Sequence, residues 1–256
     1  MTRRETPCSR TVVALAIAGP TDTVHAKLTF SGVSGAFAMS AGTTALRTDP
    51  SGCTFEVYHR RLMSLVLASQ SPRRVELLAA AGIPCTARAA NVDERVLPGE
   101  LPDAHVRRLA RAKAEAIAAA MPDDVVLGAD TVVVVDGQIL GKPLDGHDAR
   151  RMLGLLAGRR HQVFTGLAVV RDGRLFDAVE VSTVELAALT PAEIGWYVDS
   201  GEPLDKAGAY AIQGLASRFV TRIEGSYSNI VGLPVARACA LIAEAGCRLS
   251  PEAGGR

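Results

Sequence analysis

The chain has 256 residues and is 48% apolar, so it can bury one large hydrophobic core or two small ones. Lysine and arginine number 28 against 27 acidic residues, and the net charge of +1 gives no overall attraction to nucleic acid or to an anionic membrane. Five cysteines without a close CxxC pair argue against a disulfide framework and a zinc knuckle, and no apolar run reaches the roughly 18 residues of a membrane helix. We therefore expect a globular protein of a reducing compartment, the cytoplasm.

The first 62 residues differ in character from the rest of the chain. They hold scattered glycine, serine, threonine and arginine, and their one apolar run, residues 12–18, has neither a helical nor a strand period. An unstructured extension, a secretory signal with a short apolar region, and translated sequence upstream of a true start at Met63 all fit this pattern. We favour the last, because a well-patterned strand begins directly after Met63. The predicted organisation is an unstructured or mis-assigned extension at residues 1–62, followed by one domain at residues 63–256.

From Met63 onward, strand and helix signals follow one another closely. Ser71-Pro72 supplies an N-cap and a first-turn proline for a helix that Gly82 ends. Asp136-Gly137 and Asp172-Gly173 are two-residue hairpin signals. Strands are predicted at residues 64–68, 84–90, 125–128, 131–135 and 138–140, and helices at 72–81, 102–121, 145–157, 191–199 and 233–245. Because a purely parallel sheet contains no hairpins, we predict one α/β domain with a mixed sheet.

The junction between the first predicted strand and helix has the character of an anion site. Residues 69–74 hold two hydroxyls and two guanidiniums where free backbone N–H groups and the helix dipole favour negative charge. Arg73 and Arg74 add forked donors that match phosphate oxygens. An ordinary N-cap followed by two solvated arginines fits this segment equally well, so the segment alone leaves both interpretations open.

Asp130 is the most informative single residue. It lies between two apolar β-branched runs, so we expect it to be at least partly buried at a strand end, and a buried carboxylate is paired, metal-bound or functional. A turn aspartate is the alternative, although Asp136-Gly137 already supplies the turn. Other candidate polar residues, each ordinary by itself, are Asp93 and Glu94 in a loop, Lys113 in the long helix, Lys142 after the hairpin and Gln213 in a glycine-bounded loop.

Short motifs follow one another in order along the chain after residue 62. They are Leu67-Ala-Ser-Gln-Ser-Pro-Arg-Arg74, Val92-Asp-Glu94, Leu109-Ala-Arg-Ala-Lys113, Gly128-Ala-Asp-Thr131, Gly141-Lys-Pro143, residues 158–165, residues 202–210 and Ile212-Gln-Gly214. The chain lacks the GxxxxGK[ST], GxSxG, HExxH and GxGxxG motifs of other enzyme classes. This ordered series resembles the Maf family. The resemblance runs from about residue 63 to 246 and leaves residues 1–61 unmatched, which agrees with their interpretation as an extension.

The resemblance implies a fold, an activity and a set of roles. The fold would be similar to that of inosine-triphosphate pyrophosphatases, with a mixed sheet and a central cleft for the nucleotide. The activity would be hydrolysis of a nucleoside triphosphate to the monophosphate and pyrophosphate, with a divalent metal, Mg²⁺ or Mn²⁺. Asp130 would be the base that activates water, and Glu94 would help to hold the metal. The residues that would bind the substrate are Ser69, Arg73, Arg74, Lys113, Thr131, Lys142 and Gln213.

Within the family, one branch prefers dTTP and UTP and another prefers 7-methyl-GTP. Arg73, Thr131 and Gln213 resemble the first branch, because the second carries glutamate in place of Gln213, and an amide can both donate to and accept from a pyrimidine edge. Gln70 and Ala211 replace glycines of the family pattern. Two other functions stay open: a house-cleaning triphosphatase for non-standard nucleotides, and a regulator of septum formation that acts by binding. We expect the nucleotide as partner, with neither nucleic acid nor membrane, and a homodimer is compatible with the resemblance.

Overall fold

The computed structural model describes residues 64–247 and, by their backbone, five strands in the preceding stretch. The chain divides into two compact units, Met1–Leu62 and Met63–Arg256. In the first unit, β1 (Ile17–Ala18), β2 (Thr23–Phe30) and β3 (Val33–Ser40) form one antiparallel sheet, and β4 (Ala45–Thr48) pairs with β5 (Thr54–Val57). The sequence predicted none of these strands. The rest of the extension lies outside the described residues, and its interpretation as unstructured or mis-assigned stays a prediction.

The second unit alternates strands and helices along the chain. Its strands are β6 (Leu65–Ala68), β7 (Cys85–Ala87), β8 (Val125–Val135), β9 (Gln138–Leu140), β10 (Arg160–Arg171), β11 (Arg174–Leu186) and β12 (Val220–Glu224). Its helices are α1 (Pro72–Ala80), α2 (Pro102–Ala118), α3 (Gly146–Leu156), α4 (Pro191–Asp199), α5 (Tyr227–Val231) and α6 (Val235–Glu244), with 3-10 turns at Glu202–Asp205, Ala207–Ala209 and Leu215–Phe219. The predicted strand at residues 84–90 is shorter than expected.

Seven strands form one mixed sheet, as the hairpin signals predicted. Its order is β12-β11-β10-β8-β6-β7, and β9 pairs with β8 off this path. Strand β6 is parallel to both β7 and β8, whereas β8, β10, β11 and β12 are joined by antiparallel ladders. The predicted α/β class with a mixed sheet is confirmed.

Strand β8 corrects one expectation and creates the cleft. It is a single strand of 11 residues, so Asp130 lies in its middle and the expectation of a strand end at this residue was wrong. The reason is β10, which pairs with β8 continuously from Val126 to Val134 and keeps the backbone extended. On the other edge of β8, the ladder to β6 ends at Gly128 and the ladder to β9 begins at Val133. Asp130, Thr131 and Val132, which lie between these two ladders, line the central cleft.

Helices cover both faces of the sheet. Helix α2 packs on one face, and its approach is close because β8 and β10 carry glycine there: a Cβ at Gly128 would lie 2.2 Å from the carbonyl oxygen of Ala110, and one at Gly166 would lie 2.1 Å from that of Val106. The opposite face carries two separate hydrophobic clusters, one with α1 and α6 and the other with α3 and α4. No helix of residues 64–247 has the length and apolar character needed to cross a bilayer.

Candidate active site

A cavity of about 930 Å³ opens at the interrupted edge of β8. It is lined by the β6–α1 junction, the middle of β8, the inner face of α2 and the segment at residues 205–213. The structure brings all the sequence-predicted site residues to this one cavity: Ser69, Arg73, Arg74, Glu94, Lys113, Asp130, Thr131, Lys142 and Gln213. Their roles stay predictions, but their convergence is a property of the fold.

Asp130 meets Lys113 because of two periodicities. Side chains alternate along β8, so Asp130 points to the same face as Gly128, the face on which α2 packs. Helix α2 presents His105, Leu109 and Lys113 at intervals of four residues, on one face. The Lys113 Nζ donates to Asp130 Oδ1 at 2.7 Å, and the two side chains are only 9% and 11% exposed. The site therefore contains a nearly buried charge pair.

Glu94 joins this pair from a more exposed loop. Its Oε1 lies 2.6 Å from Lys113 Nζ, so both carboxylates contact the same ammonium group. Partial burial by itself would raise the pKa of Glu94, but the hydrogen bond and charge of Lys113, with the charges of Lys142 and Arg74, hold that pKa below its usual value. Glu94 is therefore ionised at neutral pH and brings a second carboxylate oxygen close to Asp130.

Arg74 is held by the protein itself. Its Nε donates to the Gly232 carbonyl at 2.8 Å, its Nη1 to Ser69 Oγ at 3.1 Å and to the Ala129 carbonyl at 2.9 Å, and its Nη2 to Thr131 Oγ1 at 3.1 Å. These bonds use four of the five guanidinium N–H groups. Ser69 Oγ also accepts from the Ser71 amide, whereas the Ser71 side chain makes no capping bond to α1. Ser69, Arg74 and Thr131 thus form one connected network.

The more exposed cations lie around this network. The side chain of Arg73 is 29% exposed, and its Nη1 lies 3.8 Å from Asp205 Oδ2, too far for a tight ion pair. Lys142 is exposed and also lines the cavity. Lys206, which pairs with Asp205, is a further cation of the lining that the sequence did not single out. All three side chains bring positive charge to the cavity, Arg73 and Lys142 from more exposed positions and Lys206 from a side chain that is 14% exposed.

Gln213 lies on a short turn at another part of the cavity wall. The preceding Tyr210 is buried, lines the cavity, and its hydroxyl lies 2.8 Å from His161 Nε2. Burial lowers the pKa of His161 to about 4, so this histidine is neutral at physiological pH. Gln213 itself is exposed and is free to reach a ligand.

His105 is a buried residue of the cavity wall that the sequence analysis did not identify. Its ring is 3% exposed, and Nδ1 lies 2.9 Å from Glu100 Oε2. The spacing of His105 with Leu109 and Lys113 was the available signal, because residues four apart share a helix face. No group of three or more potential metal-binding side chains occurs among residues 64–247. A metal held here would need ligands from the substrate in addition to one or two carboxylates.

Known proteins are similar to this chain over the same region. The family model described as Maf-like protein matches residues 64–245. The dTTP/UTP pyrophosphatase of Anaeromyxobacter dehalogenans is 56% identical over 192 residues, which is 73% of this chain and 97% of that protein. The dTTP/UTP pyrophosphatase of Symbiobacterium thermophilum is 48% identical over 185 residues, 72% of this chain and 95% of that protein. The solved structure of the Staphylococcus aureus Ham1 protein aligns over 48% of this chain and 72% of that chain, with 16% identity and a TM-score of 0.36.

Proposed function

Since this chain belongs to the Maf family, we propose that it is a nucleoside triphosphate pyrophosphatase that hydrolyses dTTP and UTP to the monophosphate and pyrophosphate. The observation that carries the proposal is the nearly buried Asp130–Lys113 pair in a cavity surrounded by cations. The names of the relatives support dTTP and UTP as substrates.

The geometry supports a direct hydrolytic step. Lys113 engages Asp130 Oδ1 and orients the carboxylate, and Oδ2 accepts a proton from the attacking water. The water oxygen forms a bond to the α-phosphorus, and the bond from that phosphorus to the bridging oxygen of the pyrophosphate breaks. Arg73, Lys142 and Lys206 stabilise the charge that develops on the leaving pyrophosphate.

A divalent metal fits the donor set. Glu94 lines the cavity with a hard carboxylate that is 53% exposed, whereas the Asp130 side chain is 11% exposed and holds Lys113. Mg²⁺ in phosphate-transfer sites is commonly held by one or two carboxylates together with substrate phosphates. Glu94 is the residue that would hold it, together with the substrate phosphates, and when bound it would neutralise charge on the triphosphate.

The preference for a pyrimidine base, the location and the partners are proposed on the sequence-based predictions. Gln213 would distinguish the pyrimidine edge by donating and accepting hydrogen bonds, and Thr131 would act through the Arg74 network. We propose a cytoplasmic enzyme that acts on free nucleotides, with neither nucleic acid nor membrane as partner; a homodimer remains compatible with it. A house-cleaning role on non-standard nucleotides would appear as higher turnover of those nucleotides in a panel.

The decisive experiment substitutes Asp130 by asparagine, which keeps the shape but cannot accept the proton. We expect Asp130→Asn to lower kcat for dTTP by about a hundredfold to ten-thousandfold, while nucleotide affinity changes little. Pyrophosphate release is measured with dTTP, UTP, CTP, GTP and 7-methyl-GTP, with Mg²⁺ and with a chelator. Asp136→Asn is the matched control, because Asp136 lies at the hairpin after the same strand and pairs with Arg159 at the surface.

Two results would contradict the proposal. Turnover of Asp130→Asn within a few-fold of the parent would remove Asp130 as the base and move the search to Asp93, Glu94 or Asp205. Full cellular effect of an inactive Asp130→Asn protein in cell division would favour a regulator that acts by binding. Equal thermal unfolding of parent, variant and control excludes collapse of the fold as the cause.

A further inference from the structure

The turn that carries Gln213 is fastened at both ends to one pair of side chains. At its start, the Ala211 amide donates to the Tyr197 hydroxyl at 3.1 Å. At its end, the Leu215 amide donates to Glu202 Oε2 at 3.0 Å. The Tyr197 hydroxyl in turn donates to Glu202 Oε1 at 2.8 Å, which joins the two anchors. Gln213 therefore lies between two fixed points that share one carboxylate.

The turn itself is built to accept this carboxylate. The Gly214 amide donates to the Ala211 carbonyl at 3.0 Å, which closes the turn around Gln213. A Cβ at Gly214 would lie 2.2 Å from Glu202 Oε2, so only glycine allows the carboxylate to come this close. The close approach shows that the Glu202 side chain is part of the wall of the turn.

Tyr197 connects the turn to the hydrophobic core. It is fully buried in the cluster of α3 and α4, and its ring packs edge-on to Phe219 at 5.8 Å. Burial raises the pKa of the Tyr197 hydroxyl, and the hydrogen bond to Glu202 raises it further, so the hydroxyl keeps its proton and donates it to the carboxylate. The anchor for the turn is thus tied to the hydrophobic core.

We infer that Glu202 and Tyr197 are positioning residues for selection of the nucleobase: together they hold the turn that presents Gln213 to the cavity. This inference rests on the proposed function, because it assigns Gln213 to the base of the nucleotide. Neither residue lines the cavity, so both act through the turn. A carboxylate is required because its two oxygens accept from Tyr197 and Leu215 at once, whereas an amide offers one acceptor oxygen and would direct N–H groups at one of the donors.

The test compares Glu202→Gln with Asp199→Asn. Both remove one negative charge, but Asp199 is exposed at the end of α4 and pairs with Arg150 rather than with the turn. We expect Glu202→Gln to raise KM for dTTP and UTP on the order of tenfold, the effect of losing one hydrogen bond to a charged group, with kcat within a few-fold. KM for a deoxyribose 5′-triphosphate that lacks a base should not change, and Asp199→Asn should match the parent with every substrate.

Hydrogen exchange tests the anchor without any nucleotide. Amides of residues 211–216 should exchange on the order of tenfold faster in Glu202→Gln than in the parent, while amides of β8 and β10 keep their protection. Should Glu202→Gln fail to fold, Tyr197→Phe carries the same measurements, because phenylalanine fills the same core space and lacks only the hydroxyl.

Two sets of results would overturn the inference, and a third would contradict the proposed function. Unchanged exchange at residues 211–216 would show that the carboxylate does not hold the turn and would overturn the inference. Faster exchange with unchanged selectivity, or an equal loss for the base-free triphosphate, would show that the turn does not select the base and would overturn it too. A parent that releases no pyrophosphate from dTTP or UTP contradicts the proposed function instead, and exchange together with calorimetric affinities for both nucleotides then decides the inference.

Discussion

At the scale of single residues, Arg74 does more to shape the site than its place in the motif suggests. Two of its acceptors, the Ala129 carbonyl and Thr131 Oγ1, flank Asp130 along β8. They lie where β8 has passed the end of its ladder to β6, so the guanidinium bonds to an edge that no strand occupies there among the described residues. Burial lowers the pKa of Arg74, while the charge of Asp130 opposes that effect. Its four bonds to protein offset much of the desolvation cost and hold Asp130 in place.

This arrangement distinguishes two roles for Arg74, positioning of Asp130 and direct grip of the triphosphate. An ammonium has three donors on one nitrogen and cannot span four acceptors, so Arg74→Lys should let β8 shift at Asp130. We expect kcat for dTTP to fall on the order of a hundredfold, the effect of a misplacement of about 1 Å, while affinity for nucleotide and pyrophosphate stays within a few-fold. Steady-state kinetics and calorimetry measure the two quantities.

The neighbouring Arg73→Lys is the matched comparison, because its guanidinium makes only a long contact to Asp205 and faces the cavity. We expect that variant to lose affinity rather than kcat. If Arg74→Lys instead loses affinity and keeps kcat, Arg74 is a phosphate ligand and the positioning role is wrong.

At the scale of elements, the contact between α2 and the sheet determines whether Lys113 reaches Asp130. Gly128 and Gly166 let the α2 backbone come within van der Waals distance of β8 and β10. Ala110 and Ala114 of α2 are fully buried in the same layer. Small side chains on the helix and the strands thus set the distance between the two elements, and that distance sets the 2.7 Å bond of the charge pair.

Gly128→Ala should therefore impair both stability and activity. The added methyl would lie 2.2 Å from the Ala110 carbonyl, a backbone atom that cannot move without the helix. We expect a loss of about 1–3 kcal/mol in the free energy of unfolding, typical of overpacking, and lower kcat because Lys113 moves away from Asp130. Gly154→Ala in α3 is the control: nothing lies within 4 Å of its added methyl, so helix propensity should stabilise the protein by up to about 1 kcal/mol. Denaturant unfolding decides the matter, and a neutral Gly128→Ala would show that α2 adapts.

At the scale of the whole molecule, the matched region and the full chain differ in length. The family model matches residues 64–245. The relative from Anaeromyxobacter dehalogenans aligns over 97% of its own length with 73% of this chain. Almost the whole length of that relative therefore aligns with about three quarters of this chain, and the family model leaves residues 1–63 unmatched. The sequence-predicted site residues all lie between Ser69 and Gln213, inside the matched region.

Deleting residues 1–62 should accordingly leave the catalytic domain intact. We expect the protein of residues 63–256 to unfold within a few degrees of the full chain and to release pyrophosphate from dTTP at the same kcat and KM. Thermal unfolding and kinetics of both proteins, purified alike, provide the measurement. Insoluble or inactive truncated protein would show that the first unit contributes to folding or to the site.

Much of the architecture follows from short-range signals. The period of α2, the Asp-Gly hairpins and the proline at the start of α1 predicted elements that the structure contains, because each depends on contacts within a few residues. The 3-10 turns, α5 and β12 had no comparable pattern. Asp130 was expected to be buried, and it is, because apolar neighbours on both sides in sequence predict a position inside the sheet.

What the sequence by itself determined is most of the helices, the two hairpins, the burial of Asp130 and most of the charged residues that line the cavity. Only the tertiary structure decided how they act together: β10 makes β8 continuous through Asp130, Arg74 bonds to Gly232 across 158 positions of the chain, and Glu202 reaches Leu215 across 13. The reason is physical. Periodicity and capping record interactions between near neighbours, whereas the choice of hydrogen-bond partner for a buried guanidinium or carboxylate depends on which distant segments packing brings into reach.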